Sequence, residues 1–138
     1  MSFAEISSAN PGEASSVVRE RVLAARASQL QRWHCLNGAL HPAQLRARVG
    51  LSPSARKLLA HAVDKLGVSG RGHDRVLQVA LTLRDLANAV AGREAAPSPV
   101  ELEEAHVAEA LSYRALERRR QGWILGSPGP RIVPDASA

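Results

Sequence analysis

Arg71 and Arg75 are the residues whose type and spacing point most directly to chemistry. They stand one helical turn apart near the start of residues 69–91, SGRGHDRVLQVALTLRDLANAVA. Arg71, Arg75, Gln78 and Thr82 recur at steps of three and four, so on a helix they share one side. Val76, Ala80, Leu83, Ala87 and Val90 recur in the same way on another side and are the expected buried stripe. Ser69 is the expected N-cap, because its hydroxyl can accept from an early unpaired N–H. Two guanidinium groups in the first turns do nothing for the helix, whose dipole favours negative charge there. They suit an anion, most naturally a phosphate, or an acidic partner. The plainer alternative is that both are solvated or pair with surface carboxylates. His73, between them, is a candidate auxiliary donor.

The rest of the basic charge is spread along the chain. Arg19, Arg26 and the more distal Arg32 flank the apolar positions of an early helix, and Arg118, Arg119 and Arg120 form a run near the end. Net charge is +5, and of the 18 basic residues only Lys57 and Lys65 are lysines. Arginine is preferred where a planar fork grips carboxylate or phosphate. A basic helical domain that binds nucleic acid through Arg19, Arg26 and the 118–120 cluster is therefore the alternative function, with affinity that falls steeply with salt. A third reading, a protein adaptor, would use Trp123, Ile124 and Leu125.

Several chemistries are missing from the sequence. There is no G-x-x-x-x-G-K-[ST] phosphate loop, no H-E-x-x-H and no C-x-x-C. The five histidines are scattered without ligand spacing, so no metal site is expected. His106 reads as a packing residue of the last helix. Together these argue against a self-contained enzyme. Cys35 is the single cysteine, which excludes an internal disulfide and fits a reducing cytoplasm. No apolar run approaches membrane-spanning length, no secretory signal opens the chain, and no membrane partner is expected.

The elements that must hold these residues read as helices. Only Phe3, Trp33, Tyr113 and Trp123 are aromatic, so the core must be built from Ala, Leu and Val, which suits closely packed helices. Residues 1–13 read as linker. A helix is expected from Glu13 to about His34, with Val18, Val22, Ala25, Leu30 and Trp33 as its stripe. Asn37-Gly38 is a turn signal. Pro42 opens a short helix that Gly50 closes. The clearest helix follows: Ser52 caps it, Pro53 opens it, and Gly67 stops it. Ala55, Leu58, Leu59, Ala62, Val63 and Leu66 form its apolar face, with Leu58 and Leu59 as anchors. Residues 92–98 form a loop. The last helix starts near Pro99 or Glu103 and runs to Arg118 or beyond; Val100 and Leu102 could instead be extended. The expected fold is all-α, a small bundle of about four to five helices over residues 14–118, followed by a flexible tail over 119–138.

Four segments in this order resemble one family: GEASSVVRERVLAAR with QLQRW, the pair Leu36-Asn37, LGVSGRGHDRVLQVALTLRDLA, and AHVAEALSYRALERR. They are similar to the C-terminal segment of the Mg-chelatase-like AAA+ ATPases, and most of all to the competence-associated, ComM-type branch. The resemblance covers roughly residues 2–119. It implies the helical lid of an AAA+ module, working in a ring, usually a hexamer, that hydrolyses ATP with Mg²⁺ between subunits. It implies as partners an upstream AAA+ core, neighbouring subunits and, in the competence branch, DNA undergoing branch migration; the true chelatases insert magnesium into a porphyrin. By the same resemblance Arg71 matches the sensor-2 arginine that touches the γ-phosphate, and Arg75 matches a second arginine of the pattern. Gln78 and Leu81 depart from it, standing where relatives carry basic residues. The Walker motifs, Mg²⁺-binding acids and arginine finger belong upstream, so the chain is expected to be a lid excised from a longer protein and to bind no ATP tightly alone.

Overall fold

Local chemistry sets several helix ends: Pro42, Ser52-Pro53 and Ser69 stand at helix starts, and Gly67 stands at a helix end. In the computed structural model, residues 12–95 and 98–124 are described, with side chains to residue 115. Helix α1 spans Ser15–Trp33, a 3₁₀ turn spans Asn37–Ala39, and α2 spans Pro42–Arg48. Strand β1, Val49–Leu51, leads into α3, Pro53–Leu66. Helix α4 spans Gly70–Val90, β2 spans Val100–Leu102, and α5 spans Glu104–Ile124. The described residues thus form an all-α bundle of five helices with one short two-stranded sheet.

The expected caps are in place at α3 and α4. The Ser52 hydroxyl accepts from the Ala55 N–H at 3.2 Å, and the Ser69 hydroxyl accepts from the Gly72 N–H at 3.2 Å. Gly67 ends α3 at φ +60°, the left-handed conformation that a side chain disfavours. The short link that follows lets α4 begin at once. Helix α4 packs most extensively against α1 and α5, and α3 packs on α5.

Gly50 does not close α2. The helix stops at Arg48, and Gly50 is the middle residue of β1, which pairs in parallel with β2 (Val49 with Val100, Leu51 with Leu102). Val100 and Leu102 are therefore extended, the second of the two readings open in the sequence. Both are buried, and Leu102 O accepts from the Ser52 N–H at 3.0 Å, so the ladder runs into the cap of α3. Alternation puts these apolar side chains on one face, against the core made with Leu45, Leu59 and Leu81.

The apolar stripes are only partly as expected. On α4, Val76 and Ala80 are buried and Leu83 is partly buried, but Ala87 is exposed and Val90 is 68% exposed. Leu77, Leu81 and Asp85 are buried instead. A helix packed on two sides buries a wider arc than one stripe. On α1, Val22 and Leu30 are exposed, and the buried residues are Ala25, Gln29 and Trp33. On α3, Leu59 is buried, Leu58 is partly buried, and Val63 and Leu66 are exposed. The backbone of α5 is helical through Arg118, Arg119 and Arg120 to Ile124. The linker reading for residues 1–11, and the tail reading for 125–138, lie outside the described residues.

Candidate functional site

The polar side of α4 faces a cleft of about 500 Å³. Arg71, Arg75, Gln78 and Thr82 line it from the helix, and Gly38 and Pro42 line it from the opposite wall. The sequence pattern that grouped these four α4 residues therefore corresponds to one surface. Ser69 makes the first turn regular, accepting from the Gly72 amide through its hydroxyl and from the His73 amide through its carbonyl at 2.8 Å. Arg71 and Arg75 are exposed. Among the described residues no carboxylate pairs with either side chain.

The one carboxylate at the cleft is already engaged. Asp74 accepts from Arg46 Nε at 3.2 Å and Nη2 at 2.9 Å, and its Oδ1 is 3.3 Å from His73 Nδ1. The hydrogen bonds from Arg46 hold the Asp74 carboxyl below its ordinary range, against the opposing effect of burial, and His73 adds to the lowering. His73 does not line the cleft of Arg71 and Arg75. It lines a separate groove against α3, beside Arg56 and Ala60.

The opposite wall is held by hydrogen bonds across the bundle. Gln78 Nε2 donates to Leu40 O at 3.3 Å and to Gly38 O at 3.5 Å. Asn37, fully buried, donates its N–H to Gln29 Oε1 and its amide nitrogen to Thr82 Oγ1 and Asp85 Oδ2, and it accepts from Trp33 Nε1, all at 2.9–3.2 Å. Asp85 also accepts from Arg32 Nη2 at 2.8 and 2.9 Å. The side chains of Arg32 and Asp85 are 2% and 1% exposed, and the Arg32 guanidinium lies 4.8 Å from the centre of the Trp33 ring.

Arg32 is thus a buried structural cation and not part of a solvated basic face. Arg19 and Arg26 are exposed on α1 and do not line the cleft. The side chains of Arg118, Arg119 and Arg120 lie outside the described residues. Among the described residues no three His, Cys, Asp or Glu side chains gather as a metal-binding group. No helix there is long and apolar enough to cross a membrane. Sequence reasoning missed Arg46, Asp74, Asn37 and Asp85. Asn37 was legible as a turn residue and as part of the family resemblance but not as the centre of a buried network, and no local pattern marks a buried carboxylate on a helix.

Residues 12–114 match the family described as magnesium chelatase, subunit ChlI C-terminal. With that match over most of its length, the chain belongs to this family. It is 36% identical to the competence protein ComM of Haemophilus influenzae over 110 residues, covering 80% of this chain and 20% of that protein. It is 34% identical to the uncharacterized protein YifB of Escherichia coli over 109 residues, covering 78% and 19%. An uncharacterized protein of Mycobacterium tuberculosis is 39% identical over 117 residues, covering 82% and 21%. The chain spans about a fifth of the length of these curated relatives. No solved structure matches it at a significant level.

Proposed function

We propose that this chain is the lid module of a Mg-chelatase-like AAA+ ATPase and that Arg71 acts as its sensor-2 arginine, reaching the ATP phosphates in a ring assembly. One observation carries the reading: Arg71 and Arg75 present free forks side by side to one cleft, whose single lining carboxylate, Asp74, is taken by Arg46. Unpaired guanidinium groups beside a capped helix start fit a phosphate by charge and by hydrogen-bond geometry. Arg71 would hold the terminal phosphate, and Arg75 would add a second fork one turn on. Bound ATP, with Mg²⁺, supplies the anhydride bond whose hydrolysis drives such a ring. Gln78 and the Asn37 network keep the opposing wall at a fixed distance. In the isolated chain two exposed, screened arginines bind ATP weakly, so the affinity depends on the rest of the protein.

The test is Arg71→Ala in the complete ATP-hydrolysing protein. Loss of a charged hydrogen bond of about 1.5–3 kcal/mol lowers kcat/KM for ATP roughly 10- to 100-fold. Near-normal hydrolysis in that variant would reject the sensor role.

A further inference from the structure

Gly72, the third residue of α4, is buried, and it faces away from the cleft that Arg71 enters. A Cβ built on it would stand 2.6 Å from Nη2, 2.8 Å from Cζ and 3.1 Å from Nη1 of Arg114. Three atoms of one guanidinium at such similar distances mean that the group lies with its face against the first turn of α4. Its charge does not explain this position, because the start of a helix repels a cation. No carboxylate among the described residues pairs with Arg114, and its Nε is buried without an acceptor. Its location is explained by packing of its stem: Arg114 lines a small, mainly apolar cavity with Leu66, Val68 and Leu111. The planar head then rests on the one residue of the turn that has no side chain.

We infer that Arg114 is a positioning residue for Arg71. By seating on Gly72 it fixes the spacing between α5 and the first turn of α4, and so fixes where the neighbouring Arg71 guanidinium stands in the cleft. A shift of α5 would then be felt at the phosphate site. The inference rests on the reading above, in which Arg71 meets the nucleotide.

The contact can be separated from ordinary packing because Gly72 has no need of a left-handed backbone; it lies within regular helix. Alanine is the better helix former there, and the obstructing atoms are the far end of a flexible side chain that can swing aside. Gly72→Ala should therefore unseat Arg114 without loosening the fold.

The experiment uses the complete ATP-hydrolysing protein with Gly72→Ala, Arg114→Ala, the double variant and Arg71→Ala. For Gly72→Ala the expected result is a thermal midpoint at or above that of the parent and a KM for ATP raised about fivefold or more, as displacing a binding group would do. Arg114→Ala should raise KM comparably, and the double variant should be no worse than either single one, because both remove the same contact. KM values within twofold of the parent in Gly72→Ala, with hydrolysis lost in Arg71→Ala, would overturn the positioning role while leaving the sensor role standing. Multiplying effects in the double variant, or a lowered midpoint in Gly72→Ala, would also overturn it. Retained hydrolysis in Arg71→Ala would remove the sensor reading and this inference with it. If Arg114→Ala fails to fold, Gly72→Ala alone decides, since it leaves every other side chain unchanged.

Discussion

Asp85→Ala is expected to be the most damaging single change in the described bundle that removes no apolar side chain. Asp85 accepts three short hydrogen bonds, two from Arg32 Nη2 and one from the Asn37 amide. Its removal leaves a guanidinium that is 2% exposed without a counter-charge, and Arg32 already has Nε and Nη1 buried and unpaired. Breaking such a pair from one side costs about 3–5 kcal/mol. A domain of this size has roughly 5–15 kcal/mol in total, so the loss takes a large share of it. At about 4–8 °C per kcal/mol, the thermal midpoint should fall by at least 12 °C or so. Urea unfolding of the chain followed by far-ultraviolet circular dichroism measures the change, with the slope expected to stay constant. The control is Arg32→Met with Asp85→Leu, which removes both charges and should be less damaging than Asp85→Ala alone, its remaining cost of about 1–3 kcal/mol being the Asn37 side-chain N–H left without an acceptor. A loss below about 1 kcal/mol in Asp85→Ala would refute the reasoning, because the pair would then be worth no more than an exposed one.

Two other outcomes follow from the same geometry. The Asp74 carboxyl is held below its ordinary value, mainly by Arg46, so the stability it contributes is complete above the ordinary aspartate range and is lost as pH falls through the lowered folded value. Thermal midpoints measured from neutral to strongly acidic pH should show this acid-side loss in the parent and a smaller one in Asp74→Asn. Leu81→Asp, at a fully buried position, should abolish cooperative unfolding, whereas Val90→Asp, at a position 68% exposed on the same helix, should change stability by no more than about 0.5 kcal/mol; an equal loss in both would mean that α4 is not packed as described.

Helix starts and stops were legible because they are local. Ser52-Pro53, Gly67 and Ser69 act on their own turns, and the chain obeys them. The polar side of α4 was legible too, since a period of three and four places Arg71, Arg75, Gln78 and Thr82 together whatever surrounds them. The inward faces were less so. Val90 continues the apolar rhythm of α4 yet stands exposed, and Asp85 interrupts the rhythm yet is buried because Arg32 and Asn37 arrive from elsewhere in the chain. Gly50 looked like a stop because its partner in the ladder lies far along the sequence. The pairing of Asp74 with Arg46 was hidden for the same reason: neither residue predicts the other until α2 is folded against α4.

The pairing of Val49 with Val100 ties together two segments with α3 and α4 strung between them. Closing so long a loop costs roughly 2–3 kcal/mol more entropy than closing a short hairpin, and contacts this remote slow the search. During synthesis the β1 edge emerges well before its mate, so Val49 and Leu51 wait uncovered while the intervening helices are made. The three-residue clasp can thus close only once α3 and α4 have been made, and α5 still follows it in the chain.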